Sequence, residues 1–137
     1  MAYPIRRPKS RADRRQSDYD TPQWNERRNL EVPPVKVQWK NEPDGLVIAL
    51  TNPLVVSNCF AARDRLVSCC DRSSASCLTV DLSGVPYADT AGVGMLSEIY
   101  VHCLRDRKQL VLRNPTPRVL ELLELLQLDR RLRIEEQ

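Results

Sequence analysis

Leu78-Thr-Val-Asp-Leu-Ser-Gly-Val-Pro-Tyr-Ala-Asp-Thr-Ala-Gly-Val-Gly-Met-Leu96 is the stretch on which the fold turns. Leu78, Val80 and Leu82 alternate with Thr79 and Asp81, the pattern of a short strand. Ser83-Gly84, with Pro86 just beyond, bends the backbone into a turn. Past it, Val93, Leu96, Tyr100, Cys103 and Leu104 recur at helical spacing. A strand, a loop and a helix opening near Asp89-Thr90 are therefore expected, the helix running to about Arg107. The loop delivers a carboxylate and a hydroxyl to a helix N-terminus, where unpaired N–H groups and the positive dipole end favour anions, phosphate included.

Working outward, Val35, Val37 and Trp39 alternate with Lys36, Gln38 and Lys40 as a half-buried strand. Asn41-Glu-Pro-Asp-Gly45 is a turn and Leu46–Leu50 a second strand, so the two form a hairpin. Asn52-Pro53 breaks the chain. With Ser57 or Asn58 as cap, Phe60, Ala61, Leu66, Val67 and Cys70 predict a helix ending near Asp71. Leu110–Leu112 is a fourth strand. Thr116-Pro117 opens a last helix to about Gln127, and Leu132 to Ile134 or Glu135 is a fifth, edge strand. The order β-β-α-β-α-β-α-β defines an α/β fold: a small mixed sheet of four or five strands with helices packed against it.

Length and charge bound the rest. The chain has 137 residues, enough for one compact domain and a tail. Residues 1–33 hold eight Arg or Lys against five acids, with prolines and few apolar residues. They are expected to form a disordered basic tail, with residues 34–137 as the domain. Thirteen basic and thirteen acidic residues fill that remainder, so its neutrality gives no reason to expect direct nucleic-acid binding. No apolar run is long enough for membrane insertion, and the N-terminus lacks the apolar core of a signal peptide. Five cysteines (Cys59, Cys69, Cys70, Cys77, Cys103) form no Cys-x-x-Cys pair, and an odd number of them favours a reducing cytoplasm. The single His102 offers little partnership for a metal, and no Cys or Ser has an evident basic partner. Neither a metal, a cofactor nor an enzymatic activity is expected.

Asp-Thr-Ala-Gly-Val-Gly at 89–94, following Val-Asp-Leu-Ser-Gly-Val, resembles the signature of STAS domains, and within them the bacterial anti-sigma-factor antagonists. The likeness runs from about Val35 to the C-terminus, where the Leu-rich run Val119–Leu128 and Asp-Arg-Arg-Leu-Arg-Ile fit the family's last helix and strand. The resemblance implies that Thr90 is a phosphoacceptor and that the partner is an anti-sigma factor with serine/threonine kinase activity. Phosphate would add about −1.5 to −2 charges beside Asp89 and repel that partner. Thr90 read without the resemblance is simply a helix cap. Asp89 is a cap carboxylate by position, or by resemblance an acid that helps the kinase orient the acceptor. Ala91 and Gly92 complete the implied partner surface, with Ser83 and Tyr87 as contact residues or plain turn and packing residues. Gly92 and Gly94 lie where Gly costs about 1 kcal/mol relative to Ala, which a close approach by a neighbouring strand or a partner would explain.

The chain also departs from the family. Antagonists commonly carry a Gly-Glu-Leu-Asp-like motif after the second strand, whereas Asn52-Pro-Leu-Val-Val56 has no carboxylate. Asn52 and Leu54 are then the local candidates for partner contact. The last helix holds more apolar residues than one face needs. Leu120, Leu123 and Leu126 have core spacing while Leu122 and Leu125 lie to one side, so the surplus is either buried between sheet and helix or exposed for a partner or weak self-association. Asp-Thr-small-Gly also resembles the STAS subunit of bacterial lipid-transport ABC complexes, which implies an alternative role as an accessory subunit clamping an ATPase.

Overall fold

A computed structural model describes residues 32–137, so all but the last two residues of the expected basic tail lie outside the described residues. Strands β1 (Lys36–Glu42) and β2 (Gly45–Thr51) are followed by α1 (Cys59–Arg72), β3 (Cys77–Gly84), α2 (Thr90–Arg105), β4 (Gln109–Arg113), α3 (Pro117–Leu125), a 3₁₀ turn (Leu128–Arg130) and β5 (Arg133–Glu135). The five strands form one sheet in sequence order, β1 antiparallel to β2 and every later neighbour parallel. The expected α/β architecture is the one observed.

Gly45 closes the β1–β2 hairpin with a φ of 143°, in the region that favours a residue without a side chain. Ile48, Val80 and Leu112 pair across the three central strands and are fully or almost fully buried. They meet Leu66 from α1, Leu96 and Ile99 from α2, and Leu123 from α3 in one continuous core. Each helix turns one apolar stripe inward, and that stripe offsets the conformational entropy lost on folding.

Several boundaries and faces differ from the sequence expectation. Helix α2 stops at Arg105 because Arg107 takes a left-handed φ of 59°, which lets the Arg107 and Lys108 amides donate to Leu104 and Cys103 carbonyls. Helix α3 ends at Leu125 because Gln127 is likewise left-handed, at φ 60°. The chain then closes the 3₁₀ turn and buries Leu132. In α1 the buried stripe is Cys59, Ala62, Leu66 and Cys70, leaving Phe60 and Ala61 exposed. Trp39, expected inward with Val37, is 60% exposed at the middle of β1, an edge strand of the sheet. Leu126, expected at core spacing, is exposed and Leu120 only half-buried, since Val119 and Leu123 alone of α3 reach the interior. The apolar surplus of this helix therefore points outward, most of all at Leu125.

Candidate functional site

Two loops meet at the N-terminus of α2. The loop after β2 starts at Asn52, whose left-handed φ of 91° an Asn tolerates better than most side chains. Its amide donates to the Gly84 carbonyl at 3.0 Å and its side chain to the Pro34 carbonyl at 2.9 Å. Leu54 then pairs with the loop after β3: its amide donates to the Tyr87 carbonyl, and its own carbonyl accepts from Asp89. Asn58, which is buried, seals the other side by donating to the Pro33 and Pro53 carbonyls while accepting from the Val55 amide.

Asp89 joins these loops to the helix. One carboxylate oxygen accepts from the Gly92 amide at 2.9 Å, the N-cap bond of α2, and the other accepts from the Val56 amide at 3.0 Å. A charged acceptor on a helix N-terminus also suits the dipole. The cap is therefore Asp89, and Thr90 is the first helical residue, exposed to solvent. The reading of Thr90 as a cap is corrected: the residue before it holds that position.

Gly92 is buried because α2 runs directly against the Leu54 carbonyl. A methyl group there would lie 2.8 Å from the Leu54 carbonyl carbon and overlap its oxygen. Only glycine admits this approach, which comes from the loop after β2 and not from the neighbouring strand or partner that the sequence reading expected. Gly94 differs: a methyl group at that position would meet nothing within 4 Å. Thr90 and Gly94, one turn apart, thus lie on a shaved outer face of the helix.

Tyr87, Asp89, Thr90 and Ala91 stand together at this helix start, and Ser83 precedes them at the end of β3. Ser83 is exposed, with its amide held by the Asp81 carboxylate at 2.9 Å. Tyr87 is half-buried with the Arg118 guanidinium 5.1 Å from its ring centre, an attractive cation–π geometry. Two expected contact residues are not available to a partner: Leu54 has no exposed surface and Gly92 is covered by that same loop. Leu54 is buried because its position in the bridge to Ala88 points its side chain inward, something a loop sequence does not encode. Val56, 52% exposed and hydrogen-bonded through its amide to Asp89, is the apolar surface this loop does present, and the sequence reading did not single it out.

A second cluster lies at the opposite end of the same helices. His102 Nε2 is 2.7 Å from an Asp71 carboxylate oxygen and 3.5 Å from one of Asp106. Cys70 completes a group whose ligating atoms all lie within 4.8 Å of one another. Cys70 and Asp71 arrive from another helix, so only Asp106 of these partners is near His102 in sequence. Burial pushes the Cys70 thiol up, and that of Cys103 to about 12. Burial also raises the Cys59 thiol, whose sulfur is 3.7 Å from the Ala91 carbonyl.

The STAS domain family model matches residues 36–137, and the chain belongs to that family. No curated protein matches it in sequence. Among solved structures it is similar to an anti-sigma factor antagonist from Mycobacterium paratuberculosis, at 15% identity and a TM-score of 0.66 over 74% of this chain and 85% of that one. An anti-sigma factor antagonist from Thermotoga maritima, so described provisionally, matches at 20% identity and 0.61 over 74% and 86%. The antagonist SpoIIAA in its unphosphorylated form matches at 16% and 0.63 over 74% and 88%. Among the described residues no helix is long and apolar enough to cross a membrane.

Proposed function

We propose that this chain is a regulatory binding module switched by phosphorylation of Thr90, and that its partner is an anti-sigma factor with serine/threonine kinase activity. The observation that carries the reading is the placement of Thr90: exposed, first in its helix, beside a carboxylate fixed by two hydrogen bonds. A phosphate added there changes the charge of a protein surface without entering the core. The positive end of α2 accommodates it, so the fold survives while a partner carrying acidic or apolar groups is expelled. Ser83, Tyr87, Ala91 and Val56 surround the acceptor as contact surface, and the open face at Gly94 lets a partner approach the helix backbone closely. Catalysis is left to the partner, in keeping with the solved structures named above, all described as antagonists.

The test pairs this protein with the kinase-type anti-sigma factor of its source and ATP. The chain should gain the mass of one phosphate, and Thr90→Ala should gain none. Thr90→Glu should lose most of its affinity for the partner while melting within a few degrees of the parent. Phosphorylation elsewhere, or a Thr90→Glu variant that binds as tightly as the parent, overturns the reading. Tight retention of a transporter ATPase by both forms would instead support the accessory-subunit role.

A further inference from the structure

The cluster at the far end of α1 and α2 is built from donor atoms of three chemical types. We infer that Cys70, Asp71, His102 and Asp106 form a binding site for a divalent transition metal of the zinc class. Cys70 and Asp71 come from the last turn of α1; His102 and Asp106 stand four residues apart at the end of α2 and so share one helix face. His102 Nε2 already faces both carboxylates, at 2.7 and 3.5 Å. The four ligating atoms lie within 4.8 Å of one another. Zinc bonds of about 2.0–2.3 Å in a tetrahedron place neighbouring donors about 3.5 Å apart, so the widest pairs contract by about 1.3 Å at most while the His102–Asp71 pair opens by about 0.8 Å.

The donor set selects the ion. Calcium and magnesium take oxygen almost alone, while a thiolate, an imidazole and two carboxylates together match zinc or cobalt. The surroundings favour positive charge as well. Two helix C-termini converge here, each carrying the negative end of its dipole. The Lys108 ammonium already occupies the Cys70 and Ser73 carbonyls, at 2.6 and 2.7 Å. It uses main-chain oxygens and leaves the four side chains available. Access is graded, with Cys70 inside, His102 28% exposed and the carboxylates open to solvent, so an ion can enter from outside. On binding, the Cys70 S–H bond breaks, the proton goes to solvent and the sulfur–metal bond forms, which makes affinity fall at low pH.

The experiment uses the full-length untagged chain titrated with Co²⁺ and then Zn²⁺. One ion per chain is expected, with the intense visible bands of tetrahedral cobalt and a near-ultraviolet thiolate-to-cobalt charge-transfer band, displaced by zinc. His102 is the chain's single histidine, so His102→Gln removes every imidazole. That variant should lose at least about tenfold in affinity, the loss that even the outer hydrogen-bonding partners of a metal site produce. Asp106→Asn should weaken binding as well, and Cys70→Ser should erase the charge-transfer band. If the buried Cys70 variant fails to fold, the two more exposed variants, checked by circular dichroism, still decide. Absence of binding at micromolar metal overturns the site. So does an octahedral spectrum without charge transfer, or affinity indifferent to His102→Gln.

Discussion

The two ends of the α1–α2 pair are chemical opposites. Both helices run the same way, so their N-termini meet at one end and their C-termini at the other. At the first end, backbone N–H groups gather and the side chains that matter accept: Asp89 bridges the Gly92 and Val56 amides, with Thr90 exposed beside it. At the second, carbonyls gather and the Lys108 ammonium answers them, beside the imidazole of His102 and two carboxylates. A rise of about 1.5 Å per residue puts His102 about 18 Å along α2 from Thr90. Parallel helices on one face of a sheet thus create an end suited to anions and an end suited to cations, whatever the side chains then do with them.

The largest test of the anion end is Gly92→Ala. The added methyl group must push α2 away from the Leu54 backbone, and no side chain can yield in its place. Overpacking of this kind costs about 3 kcal/mol. Urea denaturation should show that loss, together with a weaker hold of the 52–56 loop. A variant as stable as the parent would mean that the loop is not pinned against the helix.

Asp89→Ala comes next. It removes the helix cap, worth about 1 kcal/mol, and a second bond from a charged acceptor, worth about 1.5–3 kcal/mol, though the two are not fully additive. A loss of about 2–3 kcal/mol in the same denaturation experiment is expected. Asp89→Ser should recover roughly the cap's share, because a hydroxyl caps well but does not reach Val56 as a second acceptor. Full recovery by Ser would show that the bridge to Val56 contributes nothing.

These two residues also show what the sequence could carry. The 78–96 run encodes a strand, a turn and a capped helix locally, so its elements appear where periodicity and turn chemistry placed them. The helix start at Asp89-Thr90 was legible because a helix start is a local event. Leu54 was misassigned because its burial depends on a bridge to Ala88, a contact between distant segments. The group around His102 was invisible for the same reason: its partners Cys70 and Asp71 lie 32 and 31 residues earlier on a different helix. Helix ends were misjudged at Arg107 and Gln127 because both residues adopt a left-handed conformation usually signalled by glycine.

Gly94→Ala is the smaller companion to Gly92→Ala and has the opposite sign. No atom lies within 4 Å of the new methyl group, so only backbone entropy and helix propensity change. A gain of about 0.5–1 kcal/mol is expected in urea. If Gly94 serves a partner's close approach, the same variant should bind that partner more weakly while being more stable. Greater stability with unchanged binding would confine the site to Thr90 and its loop neighbours.

At the cation end the smallest effect at neutral pH comes from the Cys103 thiol. Burial is the main cause of its shift, with the neighbouring Cys70 thiol adding to it, and together they raise it from the ordinary 9.0 to about 12. Below pH 9 the thiol is neutral in both the folded and the unfolded chain, and its contribution to stability is fully present. Between 9 and about 12 the unfolded chain gives up the proton while the folded chain keeps it, so stability falls as pH rises. Melting curves from pH 8 to 11 should therefore slope downward, and Cys103→Ala should flatten that slope by one proton's contribution whatever it does to stability at pH 7. The slope should not vanish, because Cys59 and Cys70 are shifted in the same direction by burial. An unchanged slope in Cys103→Ala would mean that water reaches the thiol, and that the carbonyl-rich end of the helix pair is looser than its amide-rich counterpart.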